Sequence, residues 1–173
     1  LLNVIASLPN GAVVLPGETH GVFLCSPYAH ARINSIDIKA AKAAPGVIAI
    51  FTGSDLAEAK VGGLPCGWLI HSKDGTPMKE PAHPVLAQGK VRHVGDQVAL
   101  VVAETALQAK DACELIEVDY DELPPVIDIS GADKAASSVH DDVPNNVCYD
   151  WGHGNKDAVD AAFKQAAKVS ALE

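Results

Sequence analysis

Residues 97–120, QVALVVAETALQAKDACELIEVDY, decide the reading of this chain. Gln97 to Ala103 is the longest apolar run in the sequence, rich in β-branched residues and bounded by Gly95 and by Glu104-Thr105. A run of this kind and length is expected of a strand buried on both faces. Thr105, with Gln108 three positions on, has capping-box spacing and predicts that a helix starts there. Ala106, Ala109, Ala112, Cys113 and Ile116 then share one helical face, which can pack back on the preceding strand. From Ile116 to Tyr120 the pattern returns to a two-residue alternation, and Leu123-Pro124-Pro125 ends it. The prediction is a strand–helix–strand, or βαβ, core unit around residues 96–120, within an α/β (α+β, mixed-sheet) domain. Nothing in it has the look of a catalytic group.

Outward from this unit, residues 19–25 and 33–38 read as strands, with a tight connection over Ser26 to Arg32. Lys39 to Ala44 reads as a short Ala-rich helix stopped by Pro45-Gly46. Val47 to Phe51 is a further strand, and Ser54 is placed to cap a helix over residues 55–60. Residues 61–82, rich in Gly and Pro and without period, form a long ordered loop of the kind that packs on a neighbour or a ligand. Gly131 to Val143 is a surface meander, and 145–154 holds a short strand and turn. Asn155 caps a helix with Val159, Ala162, Phe163 and Ala166 on one face. Lys168 to Glu173 starts an alternating strand. The chain thus divides into an N-terminal extension (1–14), a central domain (15–130), and a linker, helix and first strand (131–173). Its abrupt apolar start and its end within a strand read as a piece of a longer protein.

The 173 residues are 48% hydrophobic and 20% charged, an ordinary globular balance. A net charge of −9 argues against nucleic acid, which requires clustered Lys and Arg. No apolar run approaches the ~20 residues of a membrane helix, and there is no signal-peptide pattern. Cys25, Cys66, Cys113 and Cys148 are widely spaced and form no CxxC, which fits reduced, buried structural thiols in a cytoplasmic protein.

Ser26, His30 and Arg32 are the most enzyme-like group. They read first as a turn whose His and Arg bond backbone carbonyls, and second as the nucleophile and base of a small hydrolase. His71, His83 and His93 lack the i,i+4 spacing of a helical metal pair. Gly62-Gly63 and Gly152-His153-Gly154 fit neither phosphate-binding glycine pattern. Asp119, Asp121 and Glu122 read as a solvated edge. Trp68 and Trp151 read as core residues, with anchoring of a partner as the other option. The residues themselves therefore assign no catalytic, cofactor-binding or metal-binding position.

Two longer stretches carry a resemblance: LPGETHGVFLCSPYAHARINSIDIKAAKAAPGVIAIFTGSDL (15–56) and HPVLAQGKVRHVGDQVALVVAETALQAKDACELIEVDYDELPPVID (83–128). Together they resemble the aldehyde oxidase/xanthine dehydrogenase family of molybdenum hydroxylases, and within it the α/β-hammerhead domain of the molybdopterin-binding large subunit. VGDQVALVVAET and NNVCYDW lean toward the carbon monoxide dehydrogenase type. The resemblance implies a structural and assembly domain, inactive alone, in an oxidoreductase that carries molybdenum–molybdopterin, with [2Fe–2S] and FAD in partner subunits or domains. It also implies downstream molybdopterin-binding domains in the same chain and a homodimer of heterotrimers. None of the family's metal-binding loops or its catalytic glutamate matches these residues. Cys25 stands where the family usually has Arg, and Trp151 to Asn155 replaces a run ending in Gly-Asp. A stand-alone binding or assembly module of the same fold is the alternative.

Overall fold

The computed structural model describes residues 15–172, so the predicted N-terminal extension 1–14 and the final Glu173 lie outside it. Two three-stranded antiparallel sheets form the body. The first contains β1 (His20–Cys25), β5 (Gln97–Ala103) and β3 (Val47–Thr52), with β5 in the middle. The second contains β4 (Lys90–Val91), β2 (Ala31–Asp37) and β6 (Glu117–Glu122), with β2 in the middle. Val101 lies opposite Val22 on one side and Ile50 on the other, so β5 is hydrogen-bonded along both edges. In the second sheet Ile33 lies opposite Tyr120, and Ala31 lies between Val91 and Glu122.

The apolar run from 97 to 103 is the strand it promised, with the predicted ends. Helix α3 (Ala106–Cys113) follows, and the Thr105 hydroxyl accepts from Gln108 N at 3.2 Å. Ala99, Val101 and Ala103 on one face of β5 pack with Ala109, Ala112, Cys113 and Ile116 and with Ala41 of α1 (Lys39–Lys42). Val98 reaches the other way, into a second core with Ala31, Ala87 and Val91. Ile36 and Val118 border both cores, which ties the two sheets together. Small residues let α3 lie close on the sheet. Ala106, expected on the same face, is exposed because it sits in the first turn, beyond the edge of the strand.

Several expectations change. β5 and β6 are not neighbours in one sheet: α3 carries the chain from the first sheet to the second, and all strand pairs are antiparallel. A right-handed crossover would return the chain to the same sheet. Here β5 already has β1 and β3 on its edges, so β6 pairs with β2. Helix α2 (Gly53–Glu58) begins earlier than predicted, with Thr52 at its cap position rather than Ser54. The Asp55 carboxylate accepts from Thr52 N at 2.7 Å and from the Thr52 hydroxyl at 2.6 Å. Gly53 is required there, since a Cβ would collide with the Ala87 carbonyl.

Beyond β6 the chain is mostly irregular. One 3₁₀ turn spans Ile129–Lys134 and another Pro144–Asn146, where a short strand was expected. Asn146 organises this region: its side chain accepts from Val139 N at 2.8 Å and donates to Ala132 O and Ser137 O, both at 2.9 Å. Asn145 and Asn146 both have positive φ, which a strand does not admit. Helix α4 (Lys156–Gln165) is capped by Asn155 as expected, its side chain accepting from Ala158 N at 2.9 Å. None of its residues is buried. Residues 166–172, where a strand was expected to begin, form none.

Candidate functional site

The corner at residues 26–32 comes first, because Ser26 and His30 are the pair that a hydrolase would need. Both are buried. The Ser26 hydroxyl accepts from Tyr28 N at 3.0 Å and donates to Tyr28 O at 3.1 Å, closing its own turn. Its backbone pairs with the turn before β5, through Ser26 N to Asp96 O at 2.8 Å and Gly95 N to Ser26 O at 2.9 Å. His30 Nδ1 donates to Pro124 O at 3.0 Å, which fixes the proton on Nδ1 because a carbonyl can only accept. His30 Nε2 is buried without a partner. No hydrogen bond joins the serine to the histidine, so the pair is a splint between β1, β2 and the end of β6. Arg32 differs from expectation. It bonds no backbone carbonyl and instead faces Asp121 at 3.6 Å, with both side chains largely in water.

The acidic edge at Asp119, Asp121 and Glu122 is solvated as expected. Asn34 donates to Asp119 at 3.3 Å. The cysteines split: Cys113 is buried and Cys148 half-buried, whereas Cys25 and Cys66 are exposed, contrary to the expectation for four buried thiols. Cys25 ends β1, and Cys66 lies in the loop. Burial pushes the Cys113 thiol above its ordinary range.

A cleft of about 300 Å³ opens between residues 81–84, the turn before β5, and the 139–140 segment. His83, Arg92, His93, Asp96 and His140 line it. Asp96 accepts from Arg92 N at 2.9 Å and lies 3.8 Å from His93 Nδ1. Arg92 Nη1 donates to Lys90 O at 3.3 Å, and its Nε is buried without a partner. Burial, then the Arg92 charge, pushes His140 below its ordinary range. Just outside, the Asp141 carboxylate takes two bonds from the Lys90 ammonium, at 2.8 and 3.0 Å, and that bond holds its carboxyl below the usual range. Arg92 and Lys90 are thus set against Asp96, Asp141 and Asp142, so the cleft has no strong preference for either sign of ligand. His71 lies elsewhere, on the loop hairpin. Among the described residues no three His, Cys, Asp or Glu side chains converge as a metal site.

The loop at 61–82 builds the other concave feature. Residues 70–78 fold as a small hairpin, with Ser72 N to Thr76 O at 2.8 Å, Met78 N to Ile70 O at 3.0 Å, and His71 bridging to Pro77. Asp74 closes its tip by accepting from Thr76 N at 2.9 Å and from the Thr76 hydroxyl at 2.7 Å. Residues 148–150 run alongside, through Lys73 N to Asp150 O at 2.8 Å and Lys79 N to Cys148 O at 2.9 Å, with a Lys73–Asp150 ion pair at 2.9 Å. This brings Cys66, Trp68, Ile70 and Met78 against Tyr149 and Trp151 around an open cavity of about 360 Å³. Trp68 is 79% exposed and Trp151 54%, so neither belongs to the core, where they were expected. The two cores are built mainly of Ala, Val and Ile instead. Sequence reading missed this cavity and the histidine cleft. The available signal was two tryptophans in non-periodic, Gly/Pro-rich stretches, where partner anchoring was the lesser reading.

Two antiparallel sheets joined by α3 define an α/β domain with two concave surfaces beside its frame. The chain belongs to the family described as aldehyde oxidase and xanthine dehydrogenase, a/b hammerhead domain, which matches residues 12–124. The carbon monoxide dehydrogenase large chain of Afipia carboxidovorans is 35% identical over 171 residues, covering 91% of this chain and 20% of its own. The nicotine 6-hydroxylase large subunit of Paenarthrobacter nicotinovorans is 34% identical, covering 88% of this chain and 18% of its own. Among solved structures, reconstituted CO dehydrogenase from Oligotropha carboxidovorans superposes on 90% of this chain and 20% of its own, with TM-score 0.69 and 33% identity. Quinoline 2-oxidoreductase from Pseudomonas putida 86 gives 0.62 and 39% identity over 76% of this chain and 16% of its own. The chain spans about a fifth of the length of these relatives.

Proposed function

We propose that this chain is the hammerhead domain of a molybdenum hydroxylase large subunit, and that its task there is architectural. The carrying observation is the match of nine-tenths of the chain, at about one-third identity, to one-fifth of a CO dehydrogenase large chain. On this reading residues 15–130 are the domain proper and 131–173 lead toward molybdopterin-binding domains, the parent being an oxidoreductase of the carbon monoxide dehydrogenase type. The parent binds molybdenum–molybdopterin, which supplies hydroxylation chemistry at a substrate carbon, and works with [2Fe–2S] and FAD subunits or domains in a dimer of heterotrimers. The occupation of Ser26 and His30 with backbone groups supports the architectural reading. What the described residues do is hold a rigid two-sheet frame and display apolar surface.

The test compares the 173-residue chain with the full-length product of its gene, each purified under reducing conditions. Molybdenum and pterin content and turnover of aldehydes, purines and carbon monoxide are measured on both. Cofactor and turnover are expected in the full-length protein alone. Stoichiometric molybdopterin on the short chain, or a reading frame that stops just after Glu173, sinks the proposal.

A further inference from the structure

The aromatic cavity at Trp68 and Trp151 is an apolar surface with an address. Its walls come from two places, the 66–78 loop and residues 149–151, which are pinned together by the backbone bonds of Lys73 and Lys79. The cavity is therefore preformed, and an incoming side chain meets no ordering cost in its walls. Its lining presents aromatic rings, an isoleucine, a methionine and a thiol, so the group that fits is apolar. About 360 Å³ accommodates one or two large side chains. Large exposed aromatic patches of this kind mark interaction sites.

The identity of the occupant follows from connectivity. Tyr149 and Trp151 are followed within a few residues by α4, whose Val159 and Phe163 are 50% and 57% exposed and so present an uncovered apolar stripe. Any polypeptide continuing past α4 is tethered within a short distance of the cavity, at a high effective concentration that a separate subunit lacks. The relatives are about five times as long as this chain. We infer that the Trp68–Trp151 cavity is the seat for an apolar side chain from the continuation of the same polypeptide, and that it locks the hammerhead domain to the domain that follows. This rests on the architectural reading above.

The experiment uses the full-length protein and the 173-residue chain in parallel. The variant is Trp68→Ser combined with Trp151→Ser. In the short chain Trp68 is largely exposed and Trp151 about half exposed, stacked only on His153, so its melting temperature is expected to stay within about 2 °C of wild type. In the full-length protein the same change is expected to lower the first melting transition by more than 5 °C and to speed proteolysis near residues 150–173 at least tenfold. Equal effects on both proteins, or none on either, overturn the inference. A second readout does not need the variant to fold. Cys66 lines the cavity, and its alkylation rate is read by mass spectrometry. It is expected to react at least tenfold more slowly in the native full-length protein than in the short chain. Equal rates overturn the inference, as does protection in the short chain that rises with its concentration, because that makes a second copy the occupant. If the gene encodes no continuation, the architectural reading itself fails, whereas an exposed Cys66 in a long, active enzyme removes only the docking role.

Discussion

The His30 imidazole and the Pro124 carbonyl meet across 3.0 Å, joining the start of β2 to the segment that leaves β6. Leu123 N donates to His30 O at 2.9 Å in the same corner, and Ser137 Oγ also reaches Pro124 O, at 3.0 Å. A histidine so placed clamps backbone and has no serine to activate. His30→Ala is therefore expected to lower stability by about 1–3 kcal/mol, the usual effect of losing a buried hydrogen bond and its packing. Urea denaturation measures this. Hydrolysis of simple esters by the variant should equal that of the wild type; a drop on His30→Ala would revive the hydrolase reading.

Capping gives a paired prediction. Thr105→Ala removes the acceptor for Gln108 N at the start of α3, and Thr52→Ala removes one of the two bonds to Asp55. Each is expected to cost about 0.5–2 kcal/mol. The Thr52 hydroxyl and backbone bonds hold the Asp55 carboxyl below its ordinary value, so the unfolded chain takes up a proton there more readily. The contribution of Asp55 is complete above the unfolded value of 3.8 and is lost as pH falls through the lower, folded one. The acid limb of the stability curve should thus be shallower in Thr52→Ala, and an unchanged limb argues against the bond.

The seam between α3 and the first sheet is made of Ala109 and Ala112, both fully buried. Ala109→Leu is expected to destabilise by about 1–3 kcal/mol through overpacking, despite the better hydrophobic transfer of leucine. Leu107, exposed on the opposite side of the helix, is the control, and Leu107→Ala should change stability by no more than about 0.5 kcal/mol. Thermal denaturation of both variants decides; a neutral Ala109→Leu means that the helix stands further from the sheet.

His140 supplies a titration near neutral pH. Burial and the Arg92 charge push its imidazole below the ordinary 6.5, so on acidification the unfolded chain protonates first. Folding stability should consequently fall as pH drops from about 7 through 6.5 toward the lower folded value. In His140→Gln that part of the pH dependence should flatten. Stability that rises over the same interval in the wild type reverses the sign and dismisses the half-buried, neutral imidazole.

How far the sequence could be read depended on whether a feature was local. β5 and α3 were legible because a seven-residue apolar run and a Thr105/Gln108 cap are properties of adjacent residues. Asn155 announced α4 for the same reason. Sheet partners were not legible: nothing in Glu117 to Glu122 says that its mate is β2 rather than β5. At α2 two cap-type residues, Thr52 and Ser54, competed, and the close approach of Gly53 to the Ala87 carbonyl placed the helix start at the earlier one. The aromatic cavity joins positions some 80 residues apart through backbone bonds in irregular segments, which no periodicity announces.

The central place of β5 also sets a timetable. β1 and β3 both pair with β5 and not with each other, and Cys25 must wait for Gln97. During synthesis, at roughly 5–20 residues per second, β1 stays without its partner for about 4–14 s, and β3 for a somewhat shorter time. The second sheet waits longer still, since β2 needs β6. The first sheet can close only once residue 103 has emerged from the ribosome and the second only once residue 122 has, and until then the apolar strands at the front of the chain are exposed to any chaperone or neighbouring nascent chain that reaches them first.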